Sequence, residues 1–139
     1  MARILVIEDN AETMKLTRLV MRWAGHRVLS AVDAETGLTL ARTSQPDLII
    51  MDIMLSGMDG LTATALLKGD PATARIPIIA LTWRGSKNDE KKAMAAGCDA
   101  YITKPFLRQQ LDKTIEDLLK AAIDNGVVKS GPLTPNAEP

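Results

Sequence analysis

Asp47-Leu48-Ile49-Ile50-Met51-Asp52, DLIIMD, holds four apolar residues in a row between two acids. A strand made from it has no polar face to turn to water, which suits a parallel strand covered on both sides by helices. The run Ile76-Pro77-Ile78-Ile79-Ala80-Leu81-Thr82, IPIIALT, has the same character. Working outward from these two, short apolar runs recur at 3–7, 27–32, 47–51, 76–81 and 100–103. Helical patterns stand between and after them at 11–24, 34–44, 60–68, 86–96 and 106–123. A strand and helix pattern repeated five times, with crossovers of this length, predicts a doubly wound α/β sandwich around a five-stranded parallel sheet, (βα)5.

The helices have matching ends. Asn10, Asp33, Asp59 and Ser86 are expected N-caps, the last with Asp89 three residues on, and Gly25, Gly69 and Gly97 stand where helices should stop. The first helix spaces Leu16, Leu19, Val20 and Trp23 for one face against the sheet. The last does so with Leu111, Ile115, Leu118, Leu119 and Ala122. Met14 and Met21 then look surplus to the first helix, and Met14 becomes a candidate for docking a partner helix.

The chain of 139 residues fits one domain over 1–124, with 125–139, rich in Pro and Gly, expected as a flexible tail. Acidic and basic residues balance at 17 each, so no strong overall field draws in nucleic acid or a membrane surface. No apolar run is long enough for a membrane span, and nothing at the start has the pattern of a signal peptide. The single cysteine, Cys98, cannot form an internal disulfide and is expected to pack as a small apolar group; His26 is expected at the surface. The expected location is the cytoplasm.

In open parallel sheets, sites form at the carboxyl ends of the strands. The polar residues there are Glu8 and Asp9 after the first strand, Asp52 after the third, Thr82 after the fourth, and Lys104 followed by Pro105 after the fifth. Glu8 and Asp9 are adjacent acids with no Lys or Arg close in sequence, and like charges that near one another resist ionisation unless a cation stands between them. An all-oxygen set with too few ligands for a Ca²⁺ cage predicts Mg²⁺ from solution, and the lack of His or Cys argues against zinc.

The ordered set Glu8, Asp9, Asp52, Thr82 and Lys104-Pro105, with MDIMLSGMDG around the aspartate and GCDAYITKPF near the end, resembles the receiver domain of bacterial two-component response regulators. The resemblance covers residues 3 to about 122 and implies a flavodoxin-like strand order, 2-1-3-4-5. It implies that Asp52 takes a phosphoryl group from a phosphohistidine, and that Asp9, Asp52, the backbone carbonyl of Met54 and Glu8 hold Mg²⁺. Lys104 and Thr82 would contact phosphoryl oxygens, Tyr101 would be the aromatic that repacks when the threonine moves, and the Lys104-Pro105 bond would be cis. The implied partners are a sensor histidine kinase or histidine phosphotransfer protein and a downstream target protein, with no nucleic acid and no membrane. Such a stand-alone switch is no enzyme beyond promoting its own phosphorylation and dephosphorylation.

Three departures from the family pattern stand near the site. Ser56 replaces a frequent Pro, Trp83 follows Thr82 where a small residue is usual, and Met54 and Arg84 occupy positions that tune the lifetime of the acyl phosphate. Two other readings compete. A Mg²⁺-dependent phosphohydrolase using an aspartyl phosphate would carry a second acid two residues after its nucleophile, where Met54 stands here. A flavin or nucleotide binder would need a Gly-rich loop after the first strand.

Overall fold

The structure, a computed structural model, describes residues 2–55, 57–83 and 87–124, and of Trp83 it describes the backbone. Ten elements alternate along it: β1 (Arg3–Ile7), α1 (Ala11–Trp23), β2 (Arg27–Ala31), α2 (Ala34–Ser44), β3 (Leu48–Asp52), α3 (Gly60–Gly69), β4 (Ile78–Trp83), α4 (Lys87–Ala96), β5 (Ala100–Lys104) and α5 (Arg108–Asp124). The strands form one parallel sheet in the order β2-β1-β3-β4-β5. This is the doubly wound, flavodoxin-like arrangement.

Alternate residues of each strand feed two cores. Leu5, Ile7, Ile49, Met51, Ile78 and Ala80 pack on one face with α2, α3 and Ala93 of α4. Ile4, Val6, Leu48, Ile50, Ile79 and Leu81 pack on the other with α1 and α5. All five residues of β3 are buried, as its unbroken apolar run requires. Asn10, Asp33 and Asp59 cap α1, α2 and α3, each accepting a backbone N–H three residues on. Ser86 lies outside the described residues, as does 125–139.

Three smaller details differ from the sequence reading. Strand β4 begins at Ile78 rather than at 76, since Pro77 has no N–H to give to the ladder and contributes only its carbonyl, to Ile49 N–H. Gly25 and Gly97 end α1 and α4 at positive φ, whereas Gly69 is still helical and the extended Asp70 ends α3. His26 is half-buried, its Nδ1 accepting the Ala2 N–H, and burial lowers its pKa. Cys98 is buried, as expected.

The largest correction concerns α1. Its core face is Met14, Thr17, Val20 and Met21, while Leu16, Leu19 and Trp23 are 54%, 40% and 59% exposed. Met14 is therefore a core residue and no docking residue. The physical reason is Thr17: a small side chain lets the helix lie close on the sheet, and once it points inward the larger Leu16 and Trp23 are turned out. On α5 the expected stripe holds, with Leu111, Ile115, Leu119 and Ala122 buried and Leu118 partly so.

Candidate functional site

The carboxyl ends of β1, β3 and β5 bring four charged side chains together. Glu8 and Asp9 follow the last residue of β1, Asp52 is the last residue of β3, and Lys104 is the last of β5. Carboxylate oxygens of Glu8, Asp9 and Asp52 lie within 4.8 Å of one another. The Lys104 ammonium is 2.7 Å from Glu8 Oε1 and 3.8 Å from Asp52 Oδ2. Glu8, Asp52 and Lys104 are buried, and Asp9 is exposed at the mouth.

The positive charge that the sequence lacks beside Glu8 thus comes partly from the chain itself, 96 residues away. Among the described residues the cluster holds three carboxylates and one ammonium, an acid-rich oxygen set of the kind a divalent cation offsets. Burial, followed by the hydrogen bond with Asp52, raises the Glu8 pKa to about 7, although Lys104 and the Asn10 N–H (3.1 Å to Oε2) pull the other way. An oxygen-only donor set with excess negative charge fits Mg²⁺, which takes a couple of carboxylates and keeps several waters.

Backbone contacts hold Asp52 in place. Its Oδ1 accepts the Met54 N–H at 3.0 Å, and α3 begins so close behind it that a Cβ on Gly60 would collide with the Asp52 carbonyl oxygen and lie 2.7 Å from Ile53 Cα. Gly60 is a close-packing position behind Asp52 that single-residue reading misses, although it closes the MDIMLSGMDG stretch. Thr82 is buried in β4, one residue beyond the level of Asp52 in the register of the neighbouring strands. Pro105 follows Lys104 through a cis peptide bond.

Tyr101 sits further back on β5, half-buried against the core shared with α3 and α4. Its buried hydroxyl has no hydrogen-bond partner among the described residues, and burial and then Asp89 and Glu90 of α4 raise its pKa. Met54 is exposed beside Asp52. Ser56, Arg84 and the Trp83 side chain lie outside the described residues, although the Trp83 backbone pairs with Lys104 across the β4–β5 ladder.

Comparison with known proteins matches residues 4–116 to the response regulator receiver domain. The chain belongs to this receiver family. The polar-differentiation response regulator DivK of Brucella anthropi is 38% identical over 116 residues, covering 84% of this chain and 94% of DivK. RpaA of Synechocystis sp., a DNA-binding dual master transcriptional regulator, is 37% identical over 141 residues, covering 96% of this receiver but only 58% of RpaA. The chain therefore spans less than two thirds of that relative's length. Among solved structures, the receiver domain of the sensor histidine kinase PA1611 from Pseudomonas aeruginosa, which has a magnesium ion coordinated in its active site cleft, superposes with a TM-score of 0.81 at 30% identity, covering 86% of this chain and 98% of that one. Receiver domains are signalling switches of two-component systems, and no helix among the described residues of this one is long and apolar enough to cross a membrane.

Proposed function

We propose that this receiver accepts a phosphoryl group on Asp52 from a phosphohistidine of a sensor kinase or phosphotransfer protein and passes the signal on through contacts with a downstream target protein. The observation that carries this reading is the convergence of Glu8, Asp9 and Asp52 with the Lys104 ammonium on one sheet edge. Asp52 is the nucleophile: a carboxylate oxygen attacks phosphorus, the bond from phosphorus to the donor imidazole breaks, and an acyl phosphate forms. Glu8, Asp9, Asp52 and the Met54 carbonyl hold Mg²⁺, which when bound offsets charge on the phosphoryl oxygens. Lys104, already within 3.8 Å of Asp52, pairs with one phosphoryl oxygen, and the Thr82 hydroxyl approaches another. Tyr101 repacks with that movement, and Trp83, Met54 and Arg84 set how long the acyl phosphate lasts.

The phosphohydrolase reading lacks its acid, since the exposed Met54 stands two residues after Asp52, where that reading needs a general acid-base residue. The test is incubation with a small-molecule acyl phosphate and Mg²⁺, followed by intact mass. One phosphoryl group per chain is expected, lost in Asp52→Asn and on removal of Mg²⁺. A label that persists in Asp52→Asn would overturn the assignment, and steady turnover of the donor far above stoichiometric labelling would favour the phosphohydrolase.

A further inference from the structure

The loop that carries Lys104 is held at its two ends in unequal ways. At the sheet end, the backbone of Lys104 pairs with that of Trp83 across the β4–β5 ladder. Pro105, Phe106 and Leu107 follow, Phe106 packed partly against the core and Leu107 70% exposed, and α5 starts at Arg108. The Leu107 carbonyl accepts the Leu111 N–H at 3.2 Å, which puts Leu107 at the N-cap, where an aliphatic side chain has no oxygen to offer the free N–H groups of the first turn. Helices α1 and α2 each have a side-chain cap and an acid, Glu12 or Glu35, in the first turn. Helix α5 has no acid there and begins instead with a cation at the positive end of its dipole. By its own sequence this is a weak helix start, yet it closes the loop behind the ammonium.

A contact with α1 supplies what the cap does not. The Arg108 guanidinium carbon lies 5.4 Å from the centroid of the Trp23 ring, within cation–π range, and Arg108 Nε is 3.5 Å from Asp112 Oδ2 one turn on. The stack accounts for two residues that are unfavourable alone, an arginine set against the helix dipole and an indole left largely in water at the end of α1. Resting on the phosphoryl transfer proposed above, we infer that Trp23 and Arg108 are positioning residues for Lys104: their stack ties the first turn of α5 to α1 and so fixes the loop that aims the ammonium at Asp52. The aim matters because Lys104 Nζ lies 2.7 Å from Glu8 and 3.8 Å from Asp52, and must shift toward Asp52 to meet a phosphoryl group. A loose loop spreads the ammonium over positions that miss that group. Neither Trp23 nor Arg108 is among the residues that hold Mg²⁺, so the effect falls on the transfer step and not on metal binding.

The test compares the wild-type chain with Trp23→Ala, Arg108→Gln, the double variant, and the conservative Trp23→Phe and Arg108→Lys. Three quantities are measured: the maximal rate of self-labelling by a small acyl phosphate at saturating Mg²⁺ and donor, Mg²⁺ affinity by calorimetry, and hydrogen exchange at the Leu111 amide. Trp23→Ala and Arg108→Gln should each slow labelling about two- to fivefold, the worth of one exposed cation–π contact, and speed Leu111 exchange by a similar factor. The double variant should be no slower than either single one, because both remove the same contact. Phe and Lys keep a ring and a cation, so the conservative variants should recover most of the rate. Mg²⁺ affinity should stay as in wild type. Single losses that multiply in the double variant, a rate that follows Mg²⁺ affinity down, or unchanged labelling in Trp23→Ala overturns the inference. If wild type itself does not label, the phosphoryl reading falls and exchange alone decides the tether: faster Leu111 exchange in Trp23→Ala supports it, and equal exchange overturns it.

Discussion

The two ends of the sheet use the same kinds of groups to opposite effect. At the amino end, Lys68 Nζ donates to the carbonyls of Ala74 and Ile76 and to Asp99 Oδ2, while that same oxygen accepts the Ile78 N–H at 2.9 Å. Asp47 Oδ2 accepts the Arg3 N–H at 2.8 Å, and His26 accepts that of Ala2. Acid, base and backbone are matched there, and strand starts are fixed. At the carboxyl end a lysine again meets carboxylates, but three acids face one ammonium, and the Glu8 pKa rises to about 7. A lysine shared among backbone carbonyls and one acid stabilises a fold, whereas a lysine among clustered carboxylates leaves oxygen donors that a cation can use.

The contrast can be broken by replacing each lysine. Lys104→Met should have the larger effect, about 3–5 kcal/mol of lost stability at pH 8 in the metal-free protein, because it leaves buried carboxylates unpaired. The loss should shrink at lower pH, where a proton takes the place of the ammonium, and on adding Mg²⁺. Lys68→Met should cost about 1–3 kcal/mol for hydrogen bonds made by a charged group, with no response to Mg²⁺. Denaturant unfolding at two pH values with and without Mg²⁺ checks both. A Lys104→Met loss that neither pH nor Mg²⁺ changes would show that the two ends are alike.

A smaller effect sharpens the comparison. The folded pKa of Glu8 lies above its ordinary value of 4.5, so the proton it holds stabilises the metal-free fold below about pH 4.5 and this contribution is lost as pH rises through about 7. The same proton must leave before Glu8 can face a cation. Mg²⁺ affinity should therefore fall about tenfold from pH 8 to pH 6, the change in ionised fraction for one group titrating near 7, and Glu8→Gln should flatten the profile. Metal titrations across that range decide it, and an equal slope in Glu8→Gln would place the titration elsewhere.

The strands and helices were legible because a doubly covered parallel strand leaves an unbroken apolar run and the starts of α1, α2 and α3 carry side-chain caps. The site was legible for the related reason that strand ends are where such sheets place chemistry. Two things were hidden. The face that α1 buries turns on Thr17, whose polarity argues for the surface while its size suits the sheet, so a count of apolar residues selects Leu16 and Trp23 instead. The contact of Glu8 with Lys104 joins β1 to an edge strand two places beyond its neighbour β3, and no local pattern marks it.

The reach of Lys104 also matters for the life of the molecule before it is complete. Glu8 and Asp52 are already present in a chain synthesised only through β3, but the ammonium that holds them, and the edge strand bearing it, come later in the order of translation. A nascent chain still short of residue 104 has Glu8 and Asp52 without the ammonium that meets them. The pairing of these carboxylates with an ammonium therefore arrives late on the ribosome, at the point where β5 closes the sheet.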